Sequence, residues 1–191
     1  MDIVEVARKF LLEKVNNMPD VLSHTERVRK YALFLAKKEH ADEEMVEIAA
    51  ILHDIGYCIE GFKDHSKNSV IIAKEFLGKF NLPKTEEIPS VINHHGKEPK
   101  SLEEKIIMDA DALDRIGCLG FFRMMIHFYR DEKIVDTEKL IEKSKEIVEK
   151  SIKNLSTNSA KEIAKSKILN LNKFFETLNI QLEPNLNRLL E

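Results

Sequence analysis

At 191 residues, with 43% hydrophobic and 33% charged content, the chain is long enough for one substantial core and too polar for a membrane protein, and no apolar stretch would span a bilayer. A net charge of −3 argues against broad nucleic-acid affinity. Cys58 and Cys118 are too few for a disulfide framework and lack the close spacing of a zinc or redox motif. The first residues carry no basic-then-apolar secretory signal, so the expected setting is the cytoplasm.

Glycines and prolines are few, and β-branched residues seldom alternate with polar ones, so helices are expected throughout. The first covers Ile3 to Asn16, with Val4, Ala7, Phe10, Leu11 and Val15 on one face. Pro19-Asp20 marks a break, and a second helix runs from Val21 to Glu39 with His24 on its apolar side. Asp42 is the expected N-cap of the third helix, which ends at Gly56 as a left-handed C-cap and so holds His53 and Asp54 in its last turn. Tyr57 to Asp64 reads as a loop, His65 to Lys79 as a fourth helix, and Lys84 to His95 as a fifth. Ser101 with Glu104 forms a capping box that opens a segment running through Asp111 towards Tyr129. Two amphipathic helices follow, Thr137 to Leu155 and Ser159 to Ile180.

The run Ala49-Ala50-Ile51-Leu52-His53-Asp54 leads four apolar residues into an imidazole and a carboxylate. Burying either group bare costs several kcal/mol, so each needs a partner. A divalent transition metal suits both. His24 on the second helix and Asp111 within an apolar stretch complete a set of two nitrogens and two carboxylates with room for water. That set fits an open catalytic site better than a closed structural one, which would favour thiolates. His40 reads as a solvated helix end. His127 has no acidic or histidine partner visible in sequence and reads as a residue at the core edge or an interface.

The order His24, His53-Asp54, Asp111, with Leu52-His53-Asp54-Ile55-Gly56 and Asp109-Ala110-Asp111-Ala112-Leu113-Asp114-Arg115-Ile116-Gly117, resembles the HD-domain superfamily of metal-dependent phosphohydrolases. The resemblance implies a single helical domain over 1–191. Its metal-binding core spans about residues 21–120, with C-terminal helices (130–191) packed on it. It also implies His24, His53, Asp54 and Asp111 as metal ligands, and Asp109 and Asp114 as residues supporting them. Asp109 would hold a ligand histidine or a water; Asp114 would anchor Arg115 or a substrate hydroxyl.

Larger HD proteins with two metals carry further histidines where this chain has His65, His94 and His95. These residues would therefore hold a second ion bridged by Asp54, or donate to a substrate phosphate. The G-Y-P signature of HD-GYP phosphodiesterases is absent after His95, and Tyr57 stands where many of them carry lysine, against cyclic dinucleotide hydrolysis. Arg27, one turn after His24, and Arg115 are candidates for binding phosphate. Lys67 reads as a surface charge.

The function implied is hydrolysis of a phosphoester or phosphoanhydride, with a nucleotide as the expected small-molecule partner. Asp54 and His65 would be the catalytic groups, and one or two ions of Mn, Fe, Co, Ni or Zn, with Mg a further candidate, the cofactor. Two alternatives are a mixed-valent di-iron oxygenase and a non-catalytic nucleotide-binding or regulatory module. A homodimer, no membrane association and no nucleic-acid partner complete the expectation.

Overall fold

The computed structural model describes residues 2–60, 64–80, 84, 86–93 and 98–182, with only the backbone at 60, 180 and 181. The elements in it are helices, with no strand among the described residues.

α1 (Ile3–Val15) starts where the Asp2 carboxylate accepts from the Val4 N–H at 3.0 Å, and it buries Ile3, Ala7, Leu11 and Val15 on one stripe. α2 (Pro19–Glu39) begins at the residue expected to mark a break. Proline's fixed φ suits the first helical position, where its missing N–H costs nothing, so Pro19 opens the helix. α2 ends at His40, exposed and left-handed at φ 60°.

α3 (Glu43–Leu52) is capped by Asp42, which accepts from the Met45 N–H at 3.0 Å. Met45, Val46 and every residue from Ile48 to Leu52 are buried, making α3 the central helix of the main core. It stops at Leu52, earlier than expected, with His53 as C-cap in right-handed geometry and a turn over residues 53–56. Gly56 is not a left-handed cap: among the described glycines only Gly117 has positive φ. Its role is close approach. A Cβ there would sit 2.0 Å from the His65 carbonyl oxygen and 2.5 Å from the Ser69 nitrogen. Only a residue without a side chain lets the next helices fold back onto the turn.

The segment after Gly56, expected as a loop, begins with a short helix, α4 (Tyr57–Glu60). α5 (His65–Leu77) follows, then α6 (Ile88–Ile92), shorter than the expected fifth helix and carrying Pro89 in its first turn. α7 (Leu102–Arg115) opens on the expected cap: Ser101 Oγ accepts from the Glu104 N–H at 3.1 Å, and the Glu104 carboxylate reaches back to the Lys100 N–H at 2.7 Å.

The segment through Asp111 does not continue unbroken to Tyr129. It breaks at Ile116-Gly117, with Gly117 at φ +101°, a conformation that favours glycine. α8 (Cys118–Arg130), α9 (Thr137–Lys153) and α10 (Asn158–Leu182) follow.

α2 lies between α3 and α7, and α1 packs on α3. Phe121, Ile141, Val148 and Leu171 form a second core among α8, α9 and α10, and Ile152 packs against both cores. Asp109, fully buried on α7, ties the C-terminal helices down. Its oxygens accept from the Ser156 N–H (2.8 Å), the Thr157 N–H (2.7 Å) and the Thr157 hydroxyl (2.7 Å), at the turn that starts α10.

Candidate metal centre

Three helices converge on one buried point. His24 comes from the second turn of α2, His53 and Asp54 from the turn ending α3, and Asp111 from the third turn of α7. All four are buried. His24 Nε2 lies 3.3 Å from His53 Nε2, 3.3 Å from Asp54 Oδ2 and 3.5 Å from Asp111 Oδ1, and His53 Nε2 lies 3.4 Å from Asp54 Oδ2. One ligand atom each from His24, His53 and Asp111 falls within a 4.8 Å group that could hold a metal ion. Two atoms about 2.1 Å from a shared ion, at roughly 90–110° to one another, stand about 3.0–3.4 Å apart. The observed spacings match.

The outer nitrogens fix how the rings present themselves. His53 Nδ1 is 2.7 Å from the Ala50 carbonyl oxygen, which can only accept, so Nδ1 carries the proton. His24 Nδ1 donates to Asp114 Oδ2 at 2.8 Å. In their neutral forms both histidines therefore turn Nε2 lone pairs toward the same point, 3.3 Å apart, an arrangement that calls for a cation or proton between them.

The electrostatics agree. Burial works to lower the His24 pKa, but Asp114, Asp54 and Asp111 outweigh it and push the pKa up to about 9. Burial works to raise Asp54, yet His53 and His24 hold its carboxyl well below the usual range. Asp114 is held low in the same way, against burial, by His24, Arg27 and Arg123.

Around this centre the expected residues divide. Asp114, not Asp109, holds the candidate ligand His24; Asp109 spends both oxygens on the turn before α10, so its expected role beside the candidate ligands is corrected. Asp114 also accepts from Arg27 Nε (2.6 Å) and Nη2 (3.2 Å) and from Arg123 Nη1, whereas it was expected to anchor Arg115 or a substrate hydroxyl. Arg115 Nη2 pairs instead with Asp111 Oδ2 at 3.0 Å, and its Nε is buried without a hydrogen-bond partner.

His65 Nε2 lies 3.9 Å from Asp54 Oδ1, the oxygen turned away from the histidine pair, and its ring stacks on Tyr57 at 4.3 Å. Burial, then Asp54 and Asp111, push the Tyr57 hydroxyl up from its ordinary pKa. His94 and His95 lie outside the described residues. Lys67 pairs with Asp64 at the surface, 3.2 Å away. His127 does have an acidic partner, Asp131, one turn on at 2.8 Å.

Sequence reasoning missed Arg123 and the place of Tyr57. The signal for Arg123 was Gly117, which ends one helix and turns the next back towards Asp114. For Asp114 it was spacing: Asp111 and Asp114, three apart, share a helix face, whereas Asp109 and Asp111, two apart, do not.

The described residues thus form an all-helical bundle around a buried His/His-Asp/Asp cluster that could hold a metal ion. The HD domain model matches residues 21–116, and the chain belongs to that family. It is 35% identical over 99 residues to ribonuclease Y of Sulfurovum sp. (strain NBC37-1), covering 49% of this chain and 18% of that protein. It is 34% identical over 108 residues to YpgQ of Bacillus subtilis (strain 168), covering 52% of this chain and 53% of that one. The chain thus spans at most about half the length of these two relatives.

Among solved structures, B. subtilis YpgQ in complex with ADP superposes with a TM-score of 0.76 at 23% identity, over 96% of each chain. An HD-superfamily hydrolase from Bacillus thuringiensis gives 0.74 at 21% identity, over 95% of this chain and 97% of that one. These likenesses show the fold.

Proposed function

We propose that the chain is a metal-dependent phosphohydrolase that cleaves a phosphoester or phosphoanhydride, with a nucleotide as substrate. The observation that carries this reading is the buried cluster in which His24 Nε2 lies 3.3–3.5 Å from a ligand atom of each of His53, Asp54 and Asp111, with arginines at its edge. The ADP seen bound to YpgQ and the ribonuclease name of the other relative support a phosphate-bearing substrate.

His24 and His53 would hold the ion through Nε2, and Asp54 and Asp111 through one oxygen each. A divalent ion bound there supplies a lowered pKa for water and polarisation of a phosphoryl oxygen. Asp54 has its second oxygen available to orient a water and accept its proton. His65, 3.9 Å from that oxygen, protonates the leaving group or neutralises phosphoryl charge. Arg27 and Arg115, part-exposed beside the ligands, present N–H groups to phosphate oxygens, with Arg123 sharing Asp114.

The test is a phosphatase screen over nucleotides with Mn²⁺, Co²⁺, Ni²⁺, Mg²⁺ and Fe²⁺, run with His53→Ala and Asp111→Ala. Phosphate or pyrophosphate release that needs metal and disappears in both variants is the expected result. Activity surviving both substitutions sinks the assignment.

The oxygenase reading has one observation in its favour: Asp54 turns Oδ2 to the histidine pair and Oδ1 to His65, as a bridge between two ions would. Iron content and oxygen uptake separate it from hydrolysis. Phosphate release under anaerobic conditions, with no oxygen uptake, eliminates it. Stoichiometric nucleotide binding without turnover across all five metals would favour a regulatory module.

A further inference from the structure

α8 is apolar on two faces. Phe121 and Phe128 are buried, and Phe121, with Met125 beside it, enters the second core. A different set, Leu119, Phe122, Ile126 and Tyr129, stays 56%, 48%, 57% and 59% exposed. At 100° per residue these four fall within an arc of about 80°, so they form one continuous stripe along the helix. Among the described residues, no other helix exposes more than two large apolar side chains.

The stripe also carries no charge. The two cationic side chains of α8 are engaged elsewhere, Arg123 by Asp114 and Arg130 by Asp131 and Asp20. An apolar stripe on a helix is ordinarily turned to a packing partner, and the second apolar face of α8 stays exposed. Aromatic side chains on a face without Lys, Glu or Asp fit the composition of interface cores, which are rich in Phe and Tyr and depleted in charge.

We propose that this stripe is the seam of a two-fold homodimer in which α8 packs antiparallel on α8 of a second copy. Spacing selects that occupant. The four positions step by three, four and three, so the stripe reads the same from either end about position 124. A two-fold axis there sets Phe122 against Ile126 of the second copy and Leu119 against its Tyr129, the self-matching patch an isologous interface requires.

Area supports it as well. Taking roughly 200–250 Å² for each of these side chains when fully exposed, the stripe offers roughly 500 Å². A stable interface buries about 800 Å² per partner, about two-thirds of it apolar in homodimers. The stripe therefore supplies nearly all the apolar surface such a dimer needs.

Sedimentation velocity and light scattering on the full chain, over a wide concentration range, test the proposal. The wild type is expected at twice the 22.1 kDa chain mass. Phe122→Glu and Ile126→Glu are each expected at the single-chain mass with unchanged helical circular dichroism. Leu169→Glu, an equally exposed apolar position on α10, is expected to stay dimeric. A wild type that stays at the single-chain mass throughout overturns the proposal, as does a dimer that survives both α8 substitutions.

Discussion

Asp114 accepts a hydrogen bond from His24 Nδ1 across 90 positions of sequence, at 2.8 Å. The contact fixes the tautomer and the ring plane of a candidate ligand and turns its Nε2 to the centre. Losing such a contact costs a metal site about 10–100-fold in affinity. Asp114→Asn is therefore expected to weaken Mn²⁺ or Co²⁺ binding by about that factor in calorimetric titration. Unchanged affinity would show that His24 is oriented by packing alone.

Asp109 gives the contrasting case five positions earlier on α7. Its oxygens accept two backbone N–H groups and the Thr157 hydroxyl. Asp109→Asn puts an amide donor where an acceptor is needed, and should lower the unfolding free energy by about 1–3 kcal/mol. Urea unfolding measures that loss. Metal affinity is expected to stay at the wild-type value, which separates the two aspartates.

Gly56→Ala forces a methyl group to within 2.0 Å of the His65 carbonyl oxygen. The two nearest atoms, the His65 carbonyl oxygen and the Ser69 nitrogen, are backbone, so α5 must shift as a unit. A cost of about 1–3 kcal/mol or more is expected from overpacking, with His65 drawn away from Asp54. Thermal unfolding and single-turnover rates check the two effects. A variant with wild-type stability would mean that α5 is not held against the turn.

Acid sensitivity is expected at Asp42. Lys84, then the Met45 N–H, hold its carboxyl below the ordinary 3.8, against burial. A carboxylate with a lowered folded pKa stabilises the fold in full above its unfolded pKa, and that contribution is lost as pH falls through the folded value. Asp42→Ala should cost about 1 kcal/mol near neutral pH, as for other lost N-caps. The gap between wild type and variant should narrow below pH 4 in denaturant titrations. A constant gap from pH 7 to pH 3 would assign the effect to something other than the charge.

The parts of this molecule that follow local rules were legible in the chain. Asp42 and Ser101 are caps because their side chains accept from nearby N–H groups. His24, His53, Asp54 and Asp111 stand out because polar groups in apolar runs need partners, and the structure brings the four together. What escaped depended on backbone turns that periodicity does not report. Pro19 reads as a breaker until its place at a helix start is known. Gly56 reads as a cap until α5 lies against it. Tyr57 gained its place on the His65 ring only once the chain after Gly56 coiled into α4.

Gly117 has a consequence for charge. In one continuous helix, Asp114 and Arg123 would stand nine residues apart, about 13 Å along the axis and on opposite sides. The bend at φ +101° removes that separation and closes them into an ion pair. Asp114 then answers to His24, Arg27 and Arg123 together, so the centre's surroundings carry one more positive charge than α2 and α7 provide. A residue with no side chain thus sets the electrostatic potential that an incoming anion meets.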